Sequence, residues 1–142
     1  QEVLKRAPKA PVAVLEPASP EAVFEQASAR AAECDVVVAA AFVSVAAYRG
    51  NVALAGGYPA LLEKLIAGGK PVVLVALGNP YVLRSFPGVS AYLATFSTVP
   101  PSEIAAVKAL FGEIPIQGRL PVTIPGHAHV GDGLEQPVAA TR

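Results

Sequence analysis

An excess of charge of either sign is the first thing this sequence lacks: lysine plus arginine and aspartate plus glutamate number 11 each, and charged residues make up only 15%. Without a basic surplus to neutralise phosphates, no nucleic-acid partner is expected. Cysteine is nearly absent. Cys34 stands alone, so no internal disulfide can form, and its place between a helical pattern and an apolar run reads as a small buried hydrophobe. Long apolar runs are missing too: the longest nearly uncharged one, Val36 to Tyr48, is 13 residues, against the roughly 18 to 20 needed to cross a bilayer. No membrane span is expected. There is no methionine at all, and Gln1 to Lys9 carries charges without the apolar stretch of a signal peptide. The simplest expectation is a piece excised or processed from a longer polypeptide, which leaves the compartment unassigned.

What is present is apolar. Hydrophobic residues make up 53% of 142 residues, enough for the core of one domain and short for two. Val12 to Leu15 is a β-like run between Pro11 and Pro17. Ser19, Pro20 and Glu21 supply a helix start, and Phe24, Ala27, Ala31 and Cys34 recur on one face of the helix that follows. Val36 to Phe42 is apolar without alternation, the pattern of a strand buried on both faces of a parallel sheet. The order then repeats. A helix opens at Pro59 with Leu61, Leu62, Leu65 and Ile66 in one stripe and ends at Gly68, and a second buried strand spans Val72 to Leu77. A helical turn over Pro80 to Ser85 is cut by Pro87. A third strand spans Ala91 to Phe96, and a last helix capped by Ser102 turns Ile104, Val107, Leu110 and Phe111 inward. This predicts an α/β fold: an open three-layer α/β/α sandwich, flavodoxin-like, with a mainly parallel sheet.

The chain closes on Leu110 to Gly126, LFGEIPIQGRLPVTIPG. Gly112 stands where a left-handed helix cap is needed, Pro115 prevents the helix from resuming, and Gly118-Arg119 turns the chain into Leu120 to Ile124, a short edge strand carrying Pro121. Beyond it, His127 to Arg142 has no periodic apolar face and reads as an irregular tail, on the surface or disordered, after a domain spanning residues 1–126.

The L-F-G-E helix end followed by P-x-G-[RK]-L-P-V-T-I-P resembles the closing element of the C-terminal α/β domain of glycoside hydrolase family 3, most closely its β-N-acetylglucosaminidase (β-N-acetylhexosaminidase) branch. Gly69 to Tyr81, GKPVVLVALGNPY, resembles the family segment G-K-P-V-V-x-V-x-L-R-N-P-Y-D, and Ala91 to Phe96 the strand after it. The match runs from about Pro17 to Gly126 and departs at Gly78 and Val82, where the family carries Arg and Asp. The resemblance implies a retaining hydrolase whose nucleophilic aspartate and histidine acid/base sit on a preceding TIM barrel, with this domain as its partner and carbohydrate bound only in the barrel's company. It also implies a further strand and helix before Val12. The sheet here is therefore expected to be incomplete on its N-terminal side, with an open edge that makes a homodimer or a domain swap of the isolated piece the expectation.

In an open parallel sheet ligands bind beyond the carboxyl ends of the strands, which singles out two loops. Tyr48, Arg49 and Asn51 combine an aromatic, a cation and an amide that could stack on a sugar or fit the barrel, or simply form a solvated connection. Asn79 and Tyr81 are the second pair of contact candidates, with Asn79 also suited to cap the turn that Pro80 begins. No catalytic residue is assigned. The carboxylates at Glu21, Glu25, Glu33, Glu63 and Glu103 sit at helix starts or on helix faces instead of forming a pair across a cleft. Gly68-Gly69-Lys70 precedes a strand, so it is no phosphate cradle, and Glu16-Pro17 replaces a flavin phosphate loop; no cofactor is expected. His127, His129 and Asp132 lie in a glycine-rich tail, and no metal is assigned to them. Two functions from different classes stand: a non-catalytic accessory domain of a family 3 hydrolase, or a free-standing flavodoxin-like binding or interaction module. The reading frame upstream of Gln1 separates them.

Overall fold

The computed structural model describes residues 1–43 and 54–140. Its elements follow in the order α1 (Glu2–Arg6), α2 (Glu21–Ala32), β1 (Val37–Val43), α3 (Tyr58–Ala67), β2 (Val72–Gly78), a 3₁₀ turn (Pro80–Arg84), β3 (Ala91–Ala94) and α4 (Pro100–Leu110). The three strands form one parallel sheet in the order β1-β2-β3. Val37 pairs with Val72 and Val43 with Gly78, while Val73 pairs with Ala91 and Ala76 with Ala94. On one face Leu62 of α3 with Val82 and Phe86 covers Ala41 and Leu74. On the other, Ala106 of α4 packs on Val75 and Leu77, with Val73, Leu93 and Leu110 around it. Helices on both faces of a parallel sheet are the α/β arrangement expected from the alternating pattern.

Much of the local reading holds. β2 is buried on both faces, with Leu74 fully inaccessible. The face of α2 formed by Phe24, Ala27, Ala31 and Cys34 is its least exposed one. Phe24 meets Tyr58 edge-to-face with ring centroids 5.5 Å apart, which ties α2 to α3. At the end of α4, Gly112 has φ +70°. The Gly112 N–H donates to the Ala109 carbonyl (3.0 Å) and the Glu113 N–H to the Lys108 carbonyl (2.9 Å), the two bonds of a Schellman cap.

Six expectations are corrected. Val12 to Leu15 forms no strand: Val14 is 87% exposed, and the Leu15 carbonyl accepts from the Tyr58 hydroxyl instead of a ladder partner. Strand β1 is covered on one face only, because α4 lies over β2 and β3; its exposure alternates and leaves Val38 and Phe42 open, so an uninterrupted apolar run did not mean burial on both sides. Neither serine caps its helix. Ser19 serves the preceding turn, where its Oγ accepts from the Glu16 N–H (3.0 Å), and α4 begins at Pro100, two residues before Ser102. On α4 the small Ala106 makes the closest approach to the sheet, which rotates Ile104 and Phe111 towards solvent. Finally, Leu120 to Ile124 does not join the sheet. The Leu120 N–H and C=O bond Asp132 and Gly131 (2.8 Å each), and Ile124 bridges Ala128, so this segment pairs with the chain that follows it. Residues 127–140 contain no helix or strand, yet Gln136 exchanges both backbone bonds with Ile116 (2.8 and 2.9 Å). Strand β3 also ends early, at Ala94, since Phe96 takes a left-handed φ of 57°.

Candidate functional site

The carboxyl ends of β1 and β2 point to the place where a parallel sheet offers a ligand its crevice. Tyr48, Arg49 and Asn51 lie outside the described residues. The second loop, Gly78 to Tyr81, is described in full. Asn79 is only 2% exposed. Its N–H donates to the Val43 carbonyl (3.0 Å), holding the end of β2 to the end of β1, and its Oδ1 accepts from the Tyr81 N–H (2.8 Å). Its φ of −89° and ψ of 117° are the extended values that a following proline imposes, so the capping geometry follows from the Asn-Pro pair itself. The Tyr92 hydroxyl, from β3, donates to the Pro80 carbonyl at 2.7 Å. The Asn79 N–H and Oδ1 and the Pro80 carbonyl are thus engaged within the fold, and Tyr81 is half-buried beside them.

Tyr92 carries a consequence for pH. Burial pushes its phenol up to about 12, only partly offset by a backbone hydrogen bond. The unfolded chain ionises near pH 10, while the folded one holds its proton until about 12. Over that interval the folded state binds more protons, so stability is complete below pH 10 and falls as pH rises towards 12. The expected loss is roughly 1–2 kcal/mol after allowing for solvent screening. Urea melts of the parent chain and Tyr92→Phe at pH 8 and pH 11 measure it; the difference in stability between the two pH values should be smaller in the phenylalanine variant.

The remaining chemistry-bearing residues do not converge. Glu21, Glu25, Glu33 and Glu63 are exposed and Glu103 half-exposed, and Glu25 pairs with Lys64 across α2 and α3 (2.7 Å). In the tail, the Asp132 carboxylate accepts from the His129 N–H (2.7 Å), a turn contact, and the His129 ring is solvent-facing. Among the described residues no three side chains of His, Cys, Asp or Glu come together as a metal set. The Cys34 thiol donates to the Arg30 carbonyl (3.4 Å) as the end of a helix. A groove between α4, β3 and residues 114–118, lined by Leu93, Thr95, Ser102, Ala109 and Ile116, contains no ionisable side chain. Among the described residues no helix is long and apolar enough to cross a membrane.

One cluster escaped the sequence reading. Arg6 of α1 reaches Glu113, just past the Schellman cap, through Nη2 (2.8 Å) and Nε, and holds Glu2 through Nη1 (3.0 Å). Lys5 and Arg6 together hold the Glu2 carboxyl below the ordinary carboxylate range; Arg6 does the same to Glu113, and the pair of carboxylates raises the guanidinium. Partners 107 residues apart leave no local signal. The cluster is partly buried at Arg6 and Glu2 and pins α1 to the end of α4.

Helices on both faces of a three-stranded parallel sheet define a small α/β domain. The chain belongs to the glycosyl hydrolase family 3 C-terminal domain family, whose profile matches residues 1–138. Among solved structures, it resembles a fungal multi-domain family 3 β-N-acetylglucosaminidase described as having a GCN5-related glucosamine N-acetyltransferase region, at 27% identity and a TM-score of 0.69. That match covers 93% of this chain and 14% of the fungal one. It also resembles a β-glucosidase from Erythrobacter marinus (28% identity, TM-score 0.55), over 76% of this chain and 16% of that one. The chain therefore spans about one seventh of the length of either enzyme. Comparison with curated proteins gives no match.

Proposed function

We propose that this chain is a non-catalytic accessory domain of a family 3 glycoside hydrolase, and that it flanks and stabilises a separate catalytic barrel acting on terminal β-N-acetylglucosaminide or related β-glycoside bonds. The observation that carries the reading is the similarity over 93% of this chain to one segment of a much larger β-N-acetylglucosaminidase. The chemistry of this chain supports the division of labour. Glycoside hydrolysis uses two carboxyl groups facing each other across a cleft, roughly 5 to 10 Å apart, whereas the acids described above are spread over helix surfaces, in an ion pair, in the Arg6 cluster, or in a turn of the tail. The loop at the end of β2 supports a scaffolding role for the same reason, since Asn79 is committed to Val43 and Tyr81. Tyr48, Arg49, Asn51 and the exposed part of Tyr81 are the side chains we assign to contact with the barrel.

Incubating the 142-residue chain with chromogenic N-acetyl-β-glucosaminide and β-glucoside tests the reading. No release above the buffer rate is expected. Turnover that is lost after mutating any of its carboxylates would overturn it, because the chain would then contain its own catalytic pair.

A further inference from the structure

Among the described residues, every hydrogen bond that residues 127–140 make outside themselves ends on residues 112–124, and none reaches a helix or strand of the sandwich. The two segments run antiparallel in one register. Ile116 exchanges both backbone bonds with Gln136 (2.8 and 2.9 Å), Leu120 faces Asp132 and Gly131 (2.8 Å each), and Ile124 exchanges with Ala128 (2.8 and 3.0 Å). At the open end the Ala139 N–H donates to the Gly112 carbonyl (2.8 Å). Bonded pairs of an ordinary antiparallel ladder recur at every second residue, whereas here they recur at every fourth. Side chains fill the gaps. Where Gly118 would bond Leu134, the Arg119 guanidinium donates through Nη1 to the Gly133 carbonyl (2.6 Å) and through Nη2 to the Glu135 carboxylate. Where Val122 would bond Val130, the Val130 N–H donates to Thr123 Oγ1 instead (3.1 Å). Gly133 lets the segments close at the first gap, since a Cβ there would lie 2.4 Å from the Gly118 carbonyl oxygen. Pro115, Pro121, Pro125 and Pro137 all fall out of step with the bonded residues, so no bonded pair loses its donor. The missing N–H groups meanwhile deny a further strand its partners.

We propose that Gly118 to Thr123, GRLPVT, is an internal docking template that captures the chain following it as a strap over residues 128–139, with Arg119 and Thr123 as its two positioning side chains. The strap unseats and reseats as a unit while the α/β sandwich stays folded.

The way the strap is held sets how it opens. It is fixed by polar contacts and buries little apolar surface: Val130, Leu134 and Val138 are 62%, 81% and 51% exposed, and both partners of the Arg119–Glu135 pair are at least half exposed. Segments with few buried apolar contacts open at free energies below that of global unfolding. Strand β2, where Leu74 is fully inaccessible, opens only with the whole domain. Because all the strap's partners lie in residues 112–124, its release breaks no bond of the parallel sheet. The device goes beyond the accessory-domain reading and does not depend on it.

Amide hydrogen exchange of the 142-residue chain, followed residue by residue, tests the proposal. In the parent, the amides of Ile116, Ala128, Gly131, Gln136 and Ala139 should be protected and should exchange together, well ahead of Leu74 and Val75 in β2. Arg119→Ala should speed exchange at Gln136 and Ala139 about 10-fold, the effect of losing one charge-assisted bond, and leave Leu74 and Val75 within about twofold. Arg119→Lys has the charge but not the fork and should recover only part of the loss. Thr123→Val keeps the branched shape without the acceptor, so it should unseat Val130 and Gly131, and Thr123→Ser should restore them. A lock supplies the converse. Cys34→Ala protein has no other cysteine, and hydrogen-bonded antiparallel partners have Cα atoms about 5.5 Å apart, within reach of a disulfide. Oxidising Ile116→Cys with Gln136→Cys should slow the whole strap at least 10-fold without changing β2, and reduction should reverse it. Strap amides that exchange at unprotected rates in the parent overturn the proposal. So does Arg119→Ala speeding β2 as much as the strap, or Thr123→Ser exchanging as fast as Thr123→Val.

Discussion

Gly78→Arg is expected to cost about 3–5 kcal/mol, a large part of the stability of a domain of this size. Gly78 ends β2 with φ +105°, a conformation that side-chain-bearing residues rarely adopt. A Cβ there would lie 2.4 Å from the Val43 carbonyl oxygen and 3.2 Å from Cγ2 of Thr98. The carbonyl cannot move aside cheaply, because it belongs to the paired end of β1 and accepts from the Asn79 N–H. Backbone strain contributes about 1–3 kcal/mol and forced overlap a similar amount. Gly78→Ala should lose most of the same stability, which places the cost at the Cβ and the backbone and not at the guanidinium. Urea midpoints of the three proteins at neutral pH measure it; an arginine variant within 0.5 kcal/mol of the parent would show that the loop has a second, arginine-compatible conformation.

Gly78 also illustrates how far the sequence could be read. The residues that act through neighbours in sequence were legible: the glycine cap after α4, the Asn79-Pro80 turn, the apolar stripe of α3 and the central strand β2 follow from local periodicity and backbone preference. Residues whose state depends on what lies across the fold were not. The runs Val36 to Phe42 and Val72 to Leu77 look alike as sequence, and only the position of α4 decides that one is buried twice and the other once. Leu120 to Ile124 has the composition of an edge strand, but Gly131 and Asp132 supply closer partners than the sheet. Ala106, the deepest residue of α4, is passed over by any search for large apolar side chains. At the candidate site the cap was visible in Asn-Pro, while the Tyr92 to Pro80 bond and the Arg6 to Glu113 clamp join distant segments and had no local signature.

The second departure from the family segment leads to the other large effect. Val82 is 1% exposed and packs with Leu62, Leu74 and Phe86, so the aspartate that relatives are expected to carry would here be an unpaired carboxylate in an apolar core. Val82→Asp should cost about 3–5 kcal/mol at pH 7. The loss should depend on pH in a definite direction. Burial raises the folded pKa of such a group above its unfolded value of about 3.9. Between those values the folded state binds more protons, so stability falls as pH rises. Acidification towards pH 4 should therefore recover part of the deficit. The comparison is with the parent chain at each pH, because protonation of Glu2 and Glu113 loosens the Arg6 clamp in both proteins alike. Val82→Asn supplies the control: it carries a polar side chain of similar size but no titratable proton, and its deficit should not change with pH. An aspartate variant with a small, pH-independent deficit would mean that the side chain finds a cation or water, and that the loop after β2 has kept a polar pocket. A large deficit that shrinks in acid would mean that Gly78 and Val82 have together turned a polar rim into a sealed part of the core.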